Sequence, residues 1–467
     1  MLAVRKSMRR HRERVTLLIA PSGAHWKWRT EEERLWRASQ QIDTSERSTR
    51  SQARTFPKSR ENFFSCCGSV ARRIRVNQAP VPNPWLAAVE PSPIGETRRW
   101  VANRTFPADR PLIDLSQAVP GYPPAMELRR HLGEHLLDPA MHGYTPILGL
   151  PALREDYAAH LSAFYGAPIA PGEVGITSGC NQAFSLAMMS IARAGDEVIV
   201  PRPHYFNHDM WMRMQGIAPV PLDFRPGSGG VPQAGDAARL ITPKTRAIIL
   251  ISPNNPTGAV YPPATIHAFF ELARKHGIAL LLDETYKDFL AEGTRPHELL
   301  SNPAWRGTLV HLYSFSKVFA LTGYRVGGVT AGAALMAEIE KAMDCVSICP
   351  PRLGQEAALY GLRNLLPWAR KNTEGLKARA DLLGSGLARS NRWRLVSIGA
   401  YFAYVEHPFA GERSTAVSKR LADEENLLTI PGDMFGAGQE RFVRIAFANV
   451  SDDKIPAVLE RLERFGA

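Results

Sequence analysis

Residues 246–258 read RAIILISPNNPTG, an apolar run that breaks into a turn with Asn255 just before Pro256. Two later stretches repeat the design. ALLLDETY (279–286) puts Asp283 at the end of an apolar run, with Tyr286 three residues on, and LVHLYSFSK (309–317) ends in Ser314, Ser316 and Lys317. Upstream, VGITSGCNQAF (174–184) reads as a strand, a glycine turn and a helix start, and DEVIV (196–200) as another short strand. Helical stretches such as NQAFSLAMMSIARAG (181–195) and PATIHAFFELARKHG (263–277) lie between these runs. Short strands apolar on both faces and linked by helices imply an α/β fold: a mostly parallel sheet flanked by helices.

The rest of the chain is read against that centre. Its 467 residues, 45% of them apolar, suffice for two or three packed domains and exclude a disulfide-stapled, collagen-like or wholly disordered chain. No stretch approaches the ~18 consecutive apolar residues of a spanning helix. Five cysteines without a CxxC pair or matching histidines give neither a disulfide framework nor a metal site, so a reducing cytoplasm is expected. The net charge of +12 is local. Residues 1–80 hold 18 Lys+Arg and 7 Asp+Glu, leaving 39 and 38 in the remainder, so the body is close to neutral. Neither nucleic acid nor membrane is expected as a partner. Residues 1–82 lack an apolar period and are expected to be a basic, disordered extension, with a nucleic-acid or membrane-surface tail and a targeting segment as alternatives. The C-terminal part mixes a long helical stretch near Gln355–Ser385, RLVSIGAYFAYVEH (394–407), a helix near Ser414–Glu424 and RFVRIAFA (441–448), which reads as a smaller α+β unit. No internal repeat is visible.

In open α/β sheets ligands bind beyond the carboxyl ends of the strands. Here those ends carry Asn255, Asp283, Ser314 and Lys317, with Arg325 eight residues after the lysine in LTGYRVGG (321–328). The turn at Gly179 opens a helix whose first N–H groups make a ready phosphate site.

SPNNPTG, DETY and SFSKxxxLxGYRxG, in this order and spacing, resemble the fold-type I pyridoxal-phosphate enzymes, specifically the class I/II aminotransferases, over roughly Trp85 to Ala467. The resemblance implies a large domain at 131–365 and a smaller α+β domain built from 83–130 and 366–467. It implies pyridoxal 5'-phosphate as cofactor, amino-acid and 2-oxo-acid substrates, and a homodimer with shared sites. Lys317 would carry the cofactor and shuttle a proton, Asp283 would pair with the pyridine nitrogen, and Asn255 and Tyr286 would bond the ring's phenolic oxygen. Lys317, Asp283 and Tyr286 are thus the expected catalytic set. Ser314, Arg325 and the backbone at Gly179, Cys180 and Asn181 would hold the phosphate. Tyr205 in RPHYFNH would stack on the ring, with Asn207 near the same face. Arg444 would clamp the substrate α-carboxylate beside Asn255. Tyr144 in GYTPILGLPALRE would reach the phosphate of the neighbouring subunit.

Two positions depart from the pattern. LSQAVPGYPP (115–124) has Ala118 where many relatives carry glycine in the loop on the carboxylate side, with Gly121 further on. Asn181 stands where some aspartate-specific relatives carry lysine, which weakens a dicarboxylate assignment. A lyase or decarboxylase on the same scaffold stays open, because the same carbanion can lose another group. A transcription regulator with an aminotransferase-like body would need a helix-turn-helix in residues 1–80, where no pair of amphipathic helices is visible.

Overall fold

Alternate side chains of the three quoted strands enter two different cores. Ile248 and Leu250 join one, while Ala247, Ile249 and Ile251 join the other. Leu280 and Leu282 are likewise divided from Leu281, and Leu309 and Tyr313 from Val310 and Leu312. A strand's side chains alternate, so a strand apolar at every position must be covered on both faces. Helix Pro263–His276 covers the first face through Ile266, Phe269, Phe270 and Ala273. Helix Cys180–Ile191 covers the second through Ala183, Phe184, Leu186, Ala187 and Met188. Each such fully buried leucine or phenylalanine contributes about 1.5–3 kcal/mol of transfer free energy.

The computed structural model describes residues 80–466. The extension expected over residues 1–82 therefore lies, but for its last three residues, outside the described residues. Among those described, the strands are β1 (Ile113–Asp114), β2 (Val174–Thr177), β3 (Glu197–Pro201), β4 (Ala218–Leu222), β5 (Thr245–Ile251), β6 (Ala279–Asp283) and β7 (Leu309–Ser314). They continue with β8 (Gly327–Thr330), β9 (Arg394–Gly399), β10 (Phe402–Glu406), β11 (Leu427–Leu428), β12 (Ile430–Pro431) and β13 (Phe442–Ala446).

A seven-stranded sheet has the order β2-β8-β7-β6-β5-β3-β4. Strands β4, β3, β5, β6 and β7 run parallel, and β8 lies antiparallel between β7 and β2. Ile251 pairs with Asp283, Asp283 with Leu312, and Ser314 with Gly327. That register brings the turns after β5, β6 and β7 out along one edge, which is the expected α/β arrangement.

Two strands of this sheet were not expected. β4 is APVPL, and its prolines at 219 and 221 cannot donate to a ladder, which confines it to the sheet edge, where it pairs with β3 alone. β8 begins Gly327–Gly328, a poor strand signal that packing explains. A Cβ on Gly327 would lie 2.6 Å from Gly179 C and 2.7 Å from Cys180 N, and one on Gly328 would lie 2.6 Å from Tyr157 Cε1.

The C-terminal part forms an antiparallel sheet, β12-β13-β10-β9. Its core holds Phe402, Ala403, Val405, Val443 and Ile445, covered by Leu376, Leu383 and Leu387 from one helix and Ile455, Val458 and Leu462 from another. The single helical stretch expected near Gln355–Ser385 is two helices, Arg352–Asn364 and Leu366–Ala388. Pro367 is the cause: it has no N–H for the preceding turn, so it sits in the first turn of a new helix. β1 pairs in parallel with β11, and Ile113 and Leu115 enter the C-terminal core, whereas Leu128 and Leu132 of helix Met126–His135 belong to the core of the large sheet. Among the described residues no helix is long and apolar enough to cross a membrane.

Candidate active site

The edge where β5, β6 and β7 end opens into a cavity of about 280 Å³. One end of it is built around glycine. Gly179 caps helix Cys180–Ile191 in a backbone conformation with φ 84°, and a Cβ there would run into the Arg325 guanidinium. The first N–H groups of that helix have no intrahelical acceptor and face the same space as Arg325. Arg325 is itself in the left-handed region, φ 51°, with Nη1 donating to Thr322 O at 3.0 Å and Nη2 to Ser178 O at 3.3 Å. Both acceptors are neutral carbonyls. Beside it, Ser314 caps the short helix Phe315–Val318 by accepting from Ser316 N at 3.2 Å, and the buried Ser316 Oγ has no partner.

Asp283 lines the cavity and is buried, with Oδ1 accepting from Thr285 N at 2.9 Å. Burial raises its pKa, against the hydrogen bonds from Thr285 and Cys180, which lower it. His208 Nε2 lies 3.8 Å from Asp283 Oδ2, and its ring stacks on Phe184 with centroids 3.9 Å apart. Burial pushes this imidazole down to about 3, so it is neutral. Sequence reading missed His208. The available signal was spacing: Tyr205 caps helix Phe206–Met214, so a residue three positions on shares its face, and the two rings meet edge to face at 5.0 Å. Tyr205 Oη accepts from Asn207 Nδ2 at 2.9 Å.

Lys317, in the helix after β7, donates from Nζ to Ala118 O at 2.6 Å. Burial, then Arg325 and Arg444, bring its pKa down to about 8. Arg444, on β13 of the other sheet, is only 1% exposed. Its Nη1 donates to Asn255 Oδ1 at 3.1 Å, its Nη2 donates to Ser116 O, and its Nε has no partner. Desolvation lowers even this guanidinium to about 10. Tyr286 packs on Phe402 and Tyr401, with centroids 5.3 and 5.2 Å away.

The cavity thus brings together Lys317, Asp283, Asn255, Tyr286, Tyr205, Asn207, Ser314, Arg325, Cys180, Asn181, Arg444 and Ala118. Gly179 contributes backbone at its rim. Tyr144 stands apart, 78% exposed and outside the lining. Gly121 is also outside it, bonded through its N–H to Ala448 O at 3.0 Å. Besides His208, sequence reading missed Thr285 and Ser116; Ala118 was expected on the carboxylate side, but not through its carbonyl, which like that of Ser116 holds a cation, and Ser316 was noted at the strand end without a role. The cavity's charged lining is three cations, Lys317, Arg325 and Arg444, against one carboxylate, Asp283. Among the described residues neither arginine has a carboxylate partner.

A mostly parallel sheet with Lys317, Asp283 and Arg325 at its carboxyl edge, met there by Arg444 from the other sheet, is an α/β arrangement whose cavity carries more cations than carboxylates. Residues 110–462 match the family described as aminotransferase class I and II. The chain belongs to that family and is a transaminase. It is 31% identical over 333 residues to a putative aminotransferase of Bacillus subtilis, covering 70% of this chain and 85% of that one. It is 33% identical over 329 residues to the aspartate/prephenate aminotransferase of Thermus thermophilus, with coverages of 69% and 82%. The solved aspartate aminotransferase of Thermus thermophilus with maleate superposes with a TM-score of 0.75 at 26% identity, over 83% of this chain and all of the other. A DNA-binding module in residues 1–80, the rival reading, would lie outside the described residues save residue 80.

Proposed function

We propose that this transaminase binds pyridoxal 5'-phosphate in the cavity and exchanges an amino group between an L-amino acid and a 2-oxo acid. The observation that carries the reading is the excess of cations: Lys317, Arg325 and Arg444 against Asp283 alone. Arg444 is buried without a carboxylate partner, and the more exposed Arg325 reaches only neutral carbonyls, so both call for anionic partners; a phosphate and a substrate carboxylate are the two that this donor set suits.

The residues fit the cofactor. Arg325, Ser314, the unpartnered Ser316 Oγ and the N–H groups at Cys180 and Asn181 would hold its phosphate. Tyr205 offers a ring face, and Asn255 and Tyr286 offer hydrogen bonds to the ring oxygen. When bound, pyridoxal phosphate takes up the electron pair left at the substrate's α-carbon as its proton departs. Asp283 would hold a proton at the ring nitrogen, and that cation offsets the burial that raises the Asp283 pKa in its absence. Neutral His208, 3.8 Å from Asp283 Oδ2 with both ring nitrogens unpartnered, places no charge beside that carboxylate. A pKa near 8 leaves Lys317 Nζ with a usable free-amine fraction near neutral pH, so it can accept and return a proton. Arg444 would clamp the α-carboxylate, with Asn255 fixing the guanidinium plane. The carbonyls of Ser116 and Ala118 now occupy N–H groups that ligand oxygens would take over.

The exposed Tyr144 would serve the site of a second copy, in a homodimer with shared sites. The β1–β11 pairing supports a small domain built from both chain ends beside a large domain at 131–365. Cys180, Cys345 and Cys349 are free thiols, in keeping with a cytoplasmic enzyme.

The test is reconstitution with pyridoxal phosphate, borohydride reduction and peptide mapping. The expected outcome is one labelled peptide carrying Lys317; a label on another lysine, or none, overturns the reading.

A further inference from the structure

Three apolar side chains, Ile94, Val119 and Phe206, line the cavity beside the polar Gln117 and Asn207. Ile94, from helix Pro93–Arg99, and Phe206 both line it. Behind them they pack with Ile430, Phe435 and Met434 in one cluster, which reaches the Arg444 guanidinium 5.2 Å from the Phe435 ring, so these side chains are backed by core next to the residue assigned to the α-carboxylate. Val119 lines the cavity from the segment that also supplies the Ser116 and Ala118 carbonyls. The cations are already assigned: Arg325 to a phosphate, Arg444 to an α-carboxylate, and Lys317 to the exchange itself. Among the described lining residues none is left for a second carboxylate. Arg98, a cation on helix Pro93–Arg99 outside the lining, donates to Gln117 Oε1 at 2.6 Å and lies 3.6 Å from Asp114 Oδ2.

Resting on the proposed amino-group exchange, we infer that the preferred substrates are amino acids with uncharged, apolar side chains, selected by the wall of Ile94, Val119 and Phe206. A carboxylate against that wall would give up its hydration and find no unassigned cation among this chain's described lining residues, whereas an apolar side chain gains by each methylene removed from water. The assignment departs from the aspartate named for several relatives.

The test is single-turnover spectroscopy of the cofactor-loaded enzyme with phenylalanine, leucine and aspartate. Phenylalanine or leucine should react at least roughly 100-fold faster than aspartate, as second-order rate constants. The variant Ile94→Lys, on a half-buried helix position, should narrow that ratio at least tenfold by favouring aspartate. Aspartate reacting as fast as either apolar substrate overturns the inference while leaving amino-group exchange intact. An unchanged ratio in Ile94→Lys overturns the assignment of the wall. No spectral change with any amino acid overturns both the inference and the proposed function beneath it.

Discussion

Arg444 Nη1 meets Asn255 Oδ1 at 3.1 Å although 189 residues separate them in the chain. The contact joins β13 of the four-stranded sheet to the turn after β5 of the seven-stranded one. The carboxylate end of the cavity therefore exists only when both sheets are in place.

Arg444→Lys should raise KM for every amino-acid substrate alike. A lysine keeps the charge but cannot bond Asn255, Ser116 and a carboxylate from one planar group. One lost hydrogen bond to a charged group is worth about 1.5–3 kcal/mol, or roughly 10- to 150-fold. Steady-state kinetics across small, apolar and acidic amino acids check this. A change confined to one side-chain class would move Arg444 into the specificity wall.

Asp283→Asn should leave the fold intact, since an amide oxygen can still accept from Thr285 N, the contact made now at 2.9 Å. Removal of the substrate α-proton should slow by about 10²- to 10⁴-fold, because a neutral partner no longer holds the pyridinium proton. Exchange of the α-proton with deuterated solvent is the measurement, and a near-normal rate would remove Asp283 from that role.

Lys317 also makes stability depend on pH in the cofactor-free protein. Its pKa falls from 10.5 to about 8 on folding. Between those values the unfolded chain binds more protons, so stability rises with pH in that window and the penalty is full below it. Lys317→Met should therefore stabilise the cofactor-free protein at pH 7, by on the order of 1–3 kcal/mol given the partial exposure of Lys317 to the cavity. The gain should shrink between pH 8 and 10.5. Thermal melts of both forms across pH decide it; equal Tm at pH 7 would show that the amine carries no burial penalty.

Tyr144→Phe should weaken cofactor binding about 10- to 150-fold if the hydroxyl bonds the phosphate of a second copy. Hybrids of one Lys317→Ala chain and one Tyr144→Phe chain then contain one site with both defects and one with neither. Cofactor titration should find one wild-type affinity class per hybrid. Its absence would show that Tyr144 does not complete a neighbour's site.

What was legible in the sequence follows from the physics of strand ends. Asn255, Asp283 and Lys317 each follow an apolar run covered on both faces, so runs and chemistry could be read together. Ala118 was read as part of the carboxylate-side loop, but its contact, like that of Ser116, could not be, since both act through backbone carbonyls that any residue supplies. β4 was hidden by Pro219 and Pro221, and β8 by glycines that close approach to Gly179, Cys180 and Tyr157 requires. The break at Leu365 was legible from Pro367 and overlooked.

The most direct measurement follows the cofactor's absorbance through one half-reaction and back. Loaded enzyme is mixed with an apolar amino acid, freed of product, and then given a 2-oxo acid. The expected result is a stoichiometric spectral change, release of the matching 2-oxo acid, and full return of the starting spectrum only when the second 2-oxo acid is added. Return of the spectrum without an added 2-oxo acid, with carbon dioxide or another fragment released, would contradict amino-group exchange and place the enzyme among the lyases or decarboxylases of the same scaffold.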